Sequence, residues 1–597
     1  MSSIPVLVAV AWPYANAEIH VGNLTGSDLP ADIFARFHRL KGNQVLMVSG
    51  SDAHGTPITV RADAEKTTAH DVYQRFHAGF LDLFQRLGLT YDLFTSTHTA
   101  NHFQVSQTVF MALKQNGYLY TAREMQWFSP AQNRFLPDRY VEGTCYICGY
   151  DNARSDQCDK CGNLLDGAQL INPRSKVDGS TPELRETEHF YLDLGQLQPF
   201  VEDYLRTHES YWRPNVLRQS LGQMTTEKLR GRPITRDLDW GIPLPIEGWE
   251  GKCLYVWFEA VIGYLSASIE WARLTGQPDA WKNWWHNPEA RSYYFIGKDN
   301  IPFHAVIWPA QLIGCGTTFD TLMKVHQPST LNLPYDVPAN EFMNLEGQKI
   351  SGSRNWAVWG RDFLDRYDPD PLRYYLTANM PETRDSDWDW NEFFQRNNNE
   401  LVATWGNLAN RVLAFTYKHW NGCIPDPGEL RNVDLELLET VEDGFTTVAE
   451  HLDAVRLRQA LAEAMRLATE VNRYLDTNAP WFEIKTDKDQ AAKSVYTALC
   501  AINYLKVMFA PFLPFTSEKL HTYLGFTKPL FGTQTTQVKA DSLGEHTVLL
   551  YQPGECDGRW EAERLTPGSA LQPPQPLFRK LDPSIVEEER ARLGRKA

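Results

Sequence analysis

Residues 4–10, Ile-Pro-Val-Leu-Val-Ala-Val, form an apolar run without polar interruption. A strand apolar on both faces has to be covered on both faces, which is the condition of a parallel sheet flanked by helices. After Gly22 the period changes: Leu29, Ile33, Phe37 and Leu40 recur at helical spacing, Gly42 supplies a stop, and residues 44–49 are apolar and extended again. Strand, helix and strand in this order predict a βαβ unit, and so commit the start of the chain to a doubly wound α/β sheet. A second extended apolar run, 293–296, ends in Gly297-Lys298-Asp299 and leads into a helix from Ile301, which places the other half of the sheet there.

Strand signals stop near residue 396. Leu401, Trp405, Leu408, Val412 and Phe415 mark one amphipathic helix. Leu457, Leu461, Ala464, Ala468, Val471 and Leu475 mark a second, and Val495, Leu499, Ile502, Leu505 and Met508 a third, which predicts a separate all-α bundle. The expected divisions are 1–117 and 232–325 for the two halves of the sheet domain, 118–231 for an insertion, 326–395 for a linker, 396–530 for the bundle and 531–597 for a tail. With Pro567, Pro573, Pro574, Pro576 and a closing Glu587-Glu588-Glu589-Arg590, the tail reads as loosely held with one terminal helix.

Composition sets outer bounds. A chain of 597 residues with 43% hydrophobic and 22% charged residues has ample core for several packed domains and is neither disordered nor fibrous. Acidic residues outnumber basic ones, 74 to 58, so that a net charge of −16 excludes indiscriminate coating of nucleic acid and confines any polyanion contact to a local basic groove. No run of apolar residues is long enough for a membrane span. The first basic residue is Arg36, so the charged start of a secretory leader is missing and the expected compartment is the cytoplasm.

Four of the nine cysteines crowd into Cys145-Tyr146-Ile147-Cys148-Gly149 and Cys158-Asp159-Lys160-Cys161-Gly162. Two knuckles of this spacing offer four thiolates to one tetrahedral Zn²⁺. Four sulfur ligands leave no position for water, so the expected ion is structural, one per chain, and pins the insertion. The competing reading is two reduced thiol pairs in a loop.

The first strand runs into Ala11-Trp12-Pro13-Tyr14-Ala15-Asn16-Ala17-Glu18-Ile19-His20-Val21-Gly22-Asn23, with an imidazole and an amide around a glycine at a helix start. Free backbone N–H groups and the helix dipole attract phosphate there, and His20 and Asn23 add donors. Alone, the segment fits a capped helix start with a surface histidine equally well. Far downstream, Gly347-Gln348-Lys349-Ile350-Ser351-Gly352-Ser353-Arg354-Asn355 is a small-residue loop bearing cations. It suits closure over a polyphosphate, although such loops are more often simply solvated.

Together, on a doubly wound frame, the two pieces resemble the HIGH and KMSKS signatures of class I aminoacyl-tRNA synthetases. Further stretches narrow the resemblance to methionyl-tRNA synthetases: Trp12-Pro13-Tyr14-Ala15-Asn16, Ser51-Asp52-Ala53-His54-Gly55-Thr56-Pro57, and Tyr255-Val256-Trp257-Phe258-Glu259-Ala260-Val261-Ile262-Gly263-Tyr264. Phe295-Ile296-Gly297-Lys298-Asp299, Phe303-His304 and Tyr367-Asp368-Pro369-Asp370-Pro371-Leu372-Arg373-Tyr374-Tyr375 continue it, so that it covers roughly residues 4–525.

The resemblance implies a Rossmann-like catalytic domain with a zinc-binding insertion, then a helical anticodon-binding domain. It implies activation of L-methionine with ATP, accompanied by Mg²⁺, to methionyl-adenylate, followed by transfer to tRNA(Met), in a monomer without a membrane partner. His20, Asn23 and Lys349 would act on the phosphates, with Tyr14, Gly22, Gly297, Asp299, Ser351, Gly352, Ser353 and Arg354 completing the ATP site. Ala11, Trp12, Tyr14, Asp52, Trp257, Ala260, Tyr264, Phe303 and His304 would enclose methionine, whose thioether favours aromatic walls. Asn407, Arg411 and Trp481 would read the anticodon by donation and stacking.

Two positions depart from the family. Trp12 replaces a more usual leucine, which predicts a reshaped pocket floor, and Gly352 replaces a second lysine, a loss that Arg354 is expected to compensate. Rivals are a leucine, isoleucine or valine enzyme, whose editing domain the 118–231 insertion is too short to hold, a cysteine enzyme, which would place a metal at its substrate, and a catalytically silent tRNA-binding homologue.

Overall fold

The computed structural model describes residues 3–137, 140–155, 158, 160, 161, 165, 169–226 and 228–595. Its central strand, β1 (Pro5–Val10), is buried along its whole length and alternates between two cores: Val6, Val8 and Val10 enter one, Leu7 and Ala9 the other. This is the two-sided burial that the uninterrupted apolar run demands. Helix α1 (Leu29–Leu40) covers the first face and ends where Gly42 takes φ 78°. Around β1 stand β2 (Gln44–Ser51), β3 (Leu93–Ser96), β4 (Arg291–Gly297) and β5 (Ala339–Asn340), all parallel, in the order β5-β4-β1-β2-β3. The chain leaves β1 and β4 toward opposite faces, so a crevice opens at their carboxyl ends, where open α/β sheets hold ligands.

Between the halves of the sheet, Leu119–Ser129 and Glu183–Leu192 pair antiparallel over ten residue pairs. The cysteine knuckles hang between them on a small sheet of Val141–Thr144, Ala153–Arg154 and Ile171–Ser175, with a core of Leu136, Tyr140, Val141, Ala153 and Leu170.

The bundle contains α2 (Asn407–His419), α3 (Asn432–Asp453), α4 (Leu457–Asn478) and α5 (Lys488–Phe509). The sequence reading identified α2, α4 and α5 but did not single out α3, whose Leu437, Leu438, Val441, Phe445, Val448 and Leu452 face inward. Asn397–Gly406 runs into α2 in wide i→i+5 turns. The bundle is tied to the sheet domain by Arg373, which is fully buried. Its guanidinium donates to Asp32 Oδ2 (2.6 Å) and Leu87 O (3.2 Å) on one side, and to Pro511 O (2.8 Å) and Phe512 O (3.0 Å) on the other.

The expected loose tail is not what the structure shows. β6 (Thr533–Asp541) and β7 (Gly544–Gln552) form a hairpin, and β7 pairs antiparallel with β3, extending the central sheet to seven strands. The chain then crosses the bundle: Trp560 packs edge-on against Phe37 (4.9 Å) and Phe445 (5.5 Å), and Leu565, Leu571, Leu577 and Phe578 enter the main core. The prolines line this path instead of loosening it, and α6 (Ile585–Arg590) is the anticipated terminal helix. Among the described residues no helix is long and apolar enough to cross a membrane.

Candidate active site and metal centre

Directly after β1, His20 caps a short helical turn. Its N–H donates to Asn23 Oδ1 (3.1 Å), and Asn23 N–H donates to His20 Nδ1 (3.3 Å), a reciprocal capping box. An acceptor at Nδ1 leaves the ring proton on Nε2, and burial lowers the imidazole pKa to about 4, so His20 is a neutral donor at physiological pH.

The Lys349 loop arrives from a short antiparallel pair, Met343–Leu345 with Gln348–Lys349. His20, Gly22, Asn23, Gly297, Asp299, Lys349 and Gly352 all border one cavity of about 570 Å³ at the carboxyl ends of β1 and β4. Two signatures separated by more than three hundred residues of sequence are thus brought together. Ser351, Ser353 and Arg354 lie off the cavity wall, and the Arg354 guanidinium donates to Lys349 O (3.4 Å).

Trp359, which the sequence reading did not name, explains Gly352. Its indole stands where a Cβ at 352 would meet it at 3.1 Å, and its ring lies 5.9 Å from that of His20. A side chain at this position would need the edge of the indole to give by a few tenths of an ångström. No local pattern marks Trp359, because it lies beyond the loop motif and acts only through contacts made in the fold.

The other end of the same cavity is aromatic and is lined by Ala11, Trp12, Tyr14, Asp52, Trp257, Ala260, Tyr264 and His304. Trp257 stacks on Phe303 (4.2 Å) and meets Tyr14 edge-on (5.7 Å), so Phe303 supports the wall from behind. His304 Nδ1–H donates to Asn300 O (2.9 Å), which leaves Nε2 to accept from Tyr264 O–H (2.6 Å), and burial holds the ring neutral with a pKa of about 4. The Trp12 indole fills the space that a Cβ on Gly50 or Gly263 would need, at 2.1 and 2.5 Å. The larger ring fits because both neighbours lack a side chain.

Asp52 is buried beside these rings. Burial first, and the charge of Glu259 second, hold its carboxyl well above the usual range. Behind it, Glu259 contacts His54 Nδ1 (2.9 Å) and His102 Nε2 (3.5 Å), a fully buried acid–imidazole cluster that sequence spacing could not assemble.

In the insertion, the Sγ atoms of Cys145, Cys148, Cys158 and Cys161 all lie within 4.8 Å of one another, with Cys148–Cys158 at 3.5 Å and Cys145–Cys161 at 4.0 Å. A tetrahedron of thiolates around one Zn²⁺ has edges of about 3.8 Å, so the donor set fits a single ion. Cys148 N–H also donates to Cys145 Sγ (3.4 Å), as expected where thiolate charge is stabilised by backbone. Asp159 and Gly162 of the second knuckle lie outside the described residues.

In the bundle, the Arg411 guanidinium sits 4.3 Å over the Trp481 ring, close to Asn472 (3.4 Å). Asn407 is exposed one turn earlier on α2. Cation and indole therefore share one outer face.

Comparison with known proteins agrees with this arrangement. A family model described as tRNA synthetases class I (M) matches residues 6–413, and one described as the anticodon binding domain of methionyl tRNA ligase matches 424–548. A methionine–tRNA ligase of Thermomicrobium roseum is 54% identical over 588 residues, covering 98% of each chain, and that of Roseiflexus castenholzii is 52% identical over 604 residues, covering 99% of each. A Mycobacterium tuberculosis methionyl-tRNA synthetase, solved bound by methionyl-adenylate, has the same fold, with a TM-score of 0.74 at 23% identity over 97% of this chain and 100% of that one. The chain belongs to the class I methionyl-tRNA synthetase family.

Proposed function

We propose that the cavity at the carboxyl ends of β1 and β4 is where methionine and ATP react, and that the chain is a methionine–tRNA ligase. The observation that carries this reading is the shared cavity: His20, Asn23 and Lys349 border one end, and the aromatic box with Asp52 borders the other. A methionine carboxylate lying between them attacks the α-phosphorus of ATP. Pyrophosphate leaves, and methionyl-adenylate remains. A hydroxyl of the tRNA's terminal ribose then attacks the carbonyl carbon, and AMP departs. The first step needs no general base, so its acceleration comes from positioning and from donors aimed at the phosphates. His20 supplies Nε2–H, Asn23 its amide and Lys349 its ammonium, while Gly297 and Asp299 lie against adenosine, Tyr14, Gly22 and Gly352 border it, and Ser351 and Ser353, whose hydroxyls lie 3.3 Å apart, complete the loop. Mg²⁺ enters with ATP as counter-charge on the phosphates.

Methionine is held by Ala11, Trp12, Tyr14, Trp257, Ala260, Tyr264 and His304, braced by Phe303, with Asp52 pairing its ammonium group. The four cysteines hold Zn²⁺, which supplies a cross-link to the insertion and takes no part in the chemistry. Asn407, Arg411 and Trp481 meet the unstacked anticodon bases of tRNA(Met). We place the chain in the cytoplasm as a monomer, divided along the boundaries given above save that residues 533–552 belong to the sheet domain, with the 118–231 insertion bridging the two halves of that domain.

ATP–pyrophosphate exchange across a panel of amino acids tests the reading. Exchange is expected with methionine and to fall away for leucine, isoleucine, valine and cysteine. No exchange with any of them would indicate a silent tRNA-binding homologue. The raised pKa of Asp52 adds a pH dependence. A protonated carboxyl has to lose its proton to pair an ammonium, so methionine affinity rises as pH increases through the carboxyl's raised pKa, by up to about tenfold per unit. Calorimetric titration in buffers of different ionisation enthalpy should show proton release on binding, and Asp52→Asn should remove it. Binding without proton release, or release that persists in Asp52→Asn, would exclude the assignment.

A further inference from the structure

Besides the contacts that Asp387, Trp388 and Trp390 make with its start, the Lys349 loop is held by a segment with no part in the site as described. We infer that residues 585–595 form a clamp that positions this loop for the activation step, with Arg590 as its principal positioning residue. The inference rests on the reading that Lys349 acts on ATP.

The loop begins at Glu346 and ends at Asn355, and both adopt left-handed backbone conformations, φ 48° and φ 51°. Glu346, with Gly347, makes the tight turn between the paired strands, and Asn355 closes the loop, so these two turning points are its pivots. Both pivots are gripped by the same segment. Arg590 Nε donates to Glu346 Oε2 (3.0 Å), and its other nitrogen to Asp389 Oδ2 (3.3 Å). At the other pivot, Asn355 Nδ2 donates to Arg595 O, and Gly594 N–H donates to Asn355 O (3.0 Å).

The segment is itself anchored. Glu589 is almost fully buried and accepts from Arg366 through both oxygens (2.8 and 2.9 Å) and from Tyr367 O–H (3.0 Å), which fixes α6 to the linker.

The second pivot also reaches the catalytic turn. Asn355 Oδ1 accepts from Trp359 Nε1 (2.8 Å), and Trp359 is the ring that lies against His20 and over Gly352. One asparagine thus joins the 585–595 segment to both signature motifs. Closing an unrestrained loop over a triphosphate loses conformational entropy at every pivot. A loop held at both ends has surrendered part of that freedom before ATP arrives. With Gly352 supplying no second ammonium, the placement of Lys349 carries more of the step.

The test uses the full chain. Arg590→Ala and Asn355→Ala are each expected to lower kcat/KM for ATP in pyrophosphate exchange by about tenfold while leaving KM for methionine within about twofold, because only the polyphosphate end is displaced. Arg590→Lys, which keeps a cation within reach of Glu346, should recover most of the loss. Thermal midpoints are measured in parallel. If kcat/KM for ATP stays at the parent value in both alanine variants, the inference is overturned. It is also overturned if ATP and methionine parameters deteriorate together and Arg590→Lys gives no recovery, since that pattern describes a merely structural segment. Lys349→Ala separates the two levels of argument: its failure to slow exchange refutes the role given to Lys349, whereas slow exchange in Lys349→Ala with parent-like Arg590→Ala and Asn355→Ala refutes the clamp alone.

Discussion

Lys349→Ala is expected to reduce methionine-dependent pyrophosphate exchange by about 10²–10³-fold, the usual consequence of deleting one donor aimed at developing charge. Methionine binding should survive, because the aromatic box and Asp52 lie at the opposite end of the cavity. The effect should be large because Gly352, beside it, brings no charge and Trp359 occupies the neighbouring space. Arg354→Ala distinguishes two ways in which the chain manages with one lysine. Its guanidinium rests on Lys349 O, off the cavity wall, so it helps only if the loop closes further once ATP is bound. A loss approaching that of Lys349→Ala would establish compensation by Arg354. An unchanged rate would mean that Lys349 and the His20 turn suffice. Single-turnover rates, with methionine affinity measured separately by tryptophan fluorescence, provide the comparison.

The second large effect concerns stability. Arg373→Met should destabilise the chain by roughly 3–5 kcal/mol, because removing one member of a buried ionic network leaves its partners without compensation. Asp32 would keep Arg36 as its one cation, with Thr90 still donating to its other oxygen, and the carbonyls of Leu87, Pro511 and Phe512 would lose a donor. Since those groups belong to both the sheet domain and the bundle, urea unfolding should change from one transition into two. The network holds the Asp32 pKa down at about 2. Its contribution is therefore full above the unfolded value near 3.8 and disappears as pH falls toward 2. Adding Asp32→Asn to Arg373→Met should restore part of the loss, because the stranded carboxylate is then gone. A midpoint unchanged in Arg373→Met would show that the network is not what joins the domains.

What could be read from the sequence follows the range of the forces involved. β1 and α1 were legible because burial on two faces and helical periodicity are written within ten or twelve residues. The four-cysteine cluster was legible because its thiols sit in two tight turns that impose their own spacing. The shared cavity was reached only by combining two motifs, neither sufficient alone. Three features remained hidden, each for a physical reason. β6 reads Thr-Gln-Thr-Thr-Gln-Val-Lys-Ala-Asp, an edge strand with little to bury, so it shows no apolar alternation. The tail's prolines suggested looseness, yet its stability comes from Trp560 and Phe578 landing on partners hundreds of residues distant. Trp359 and the Glu259 cluster matter through neighbours that only the folded chain provides.

The pairing of β7 with β3 also has a bearing on how the protein is made. During translation, the first sheet strands leave the ribosome more than four hundred residues before Leu549, and until then β3 presents an unpaired rim to its surroundings. Nascent chains of this protein therefore spend most of their synthesis with that flank open.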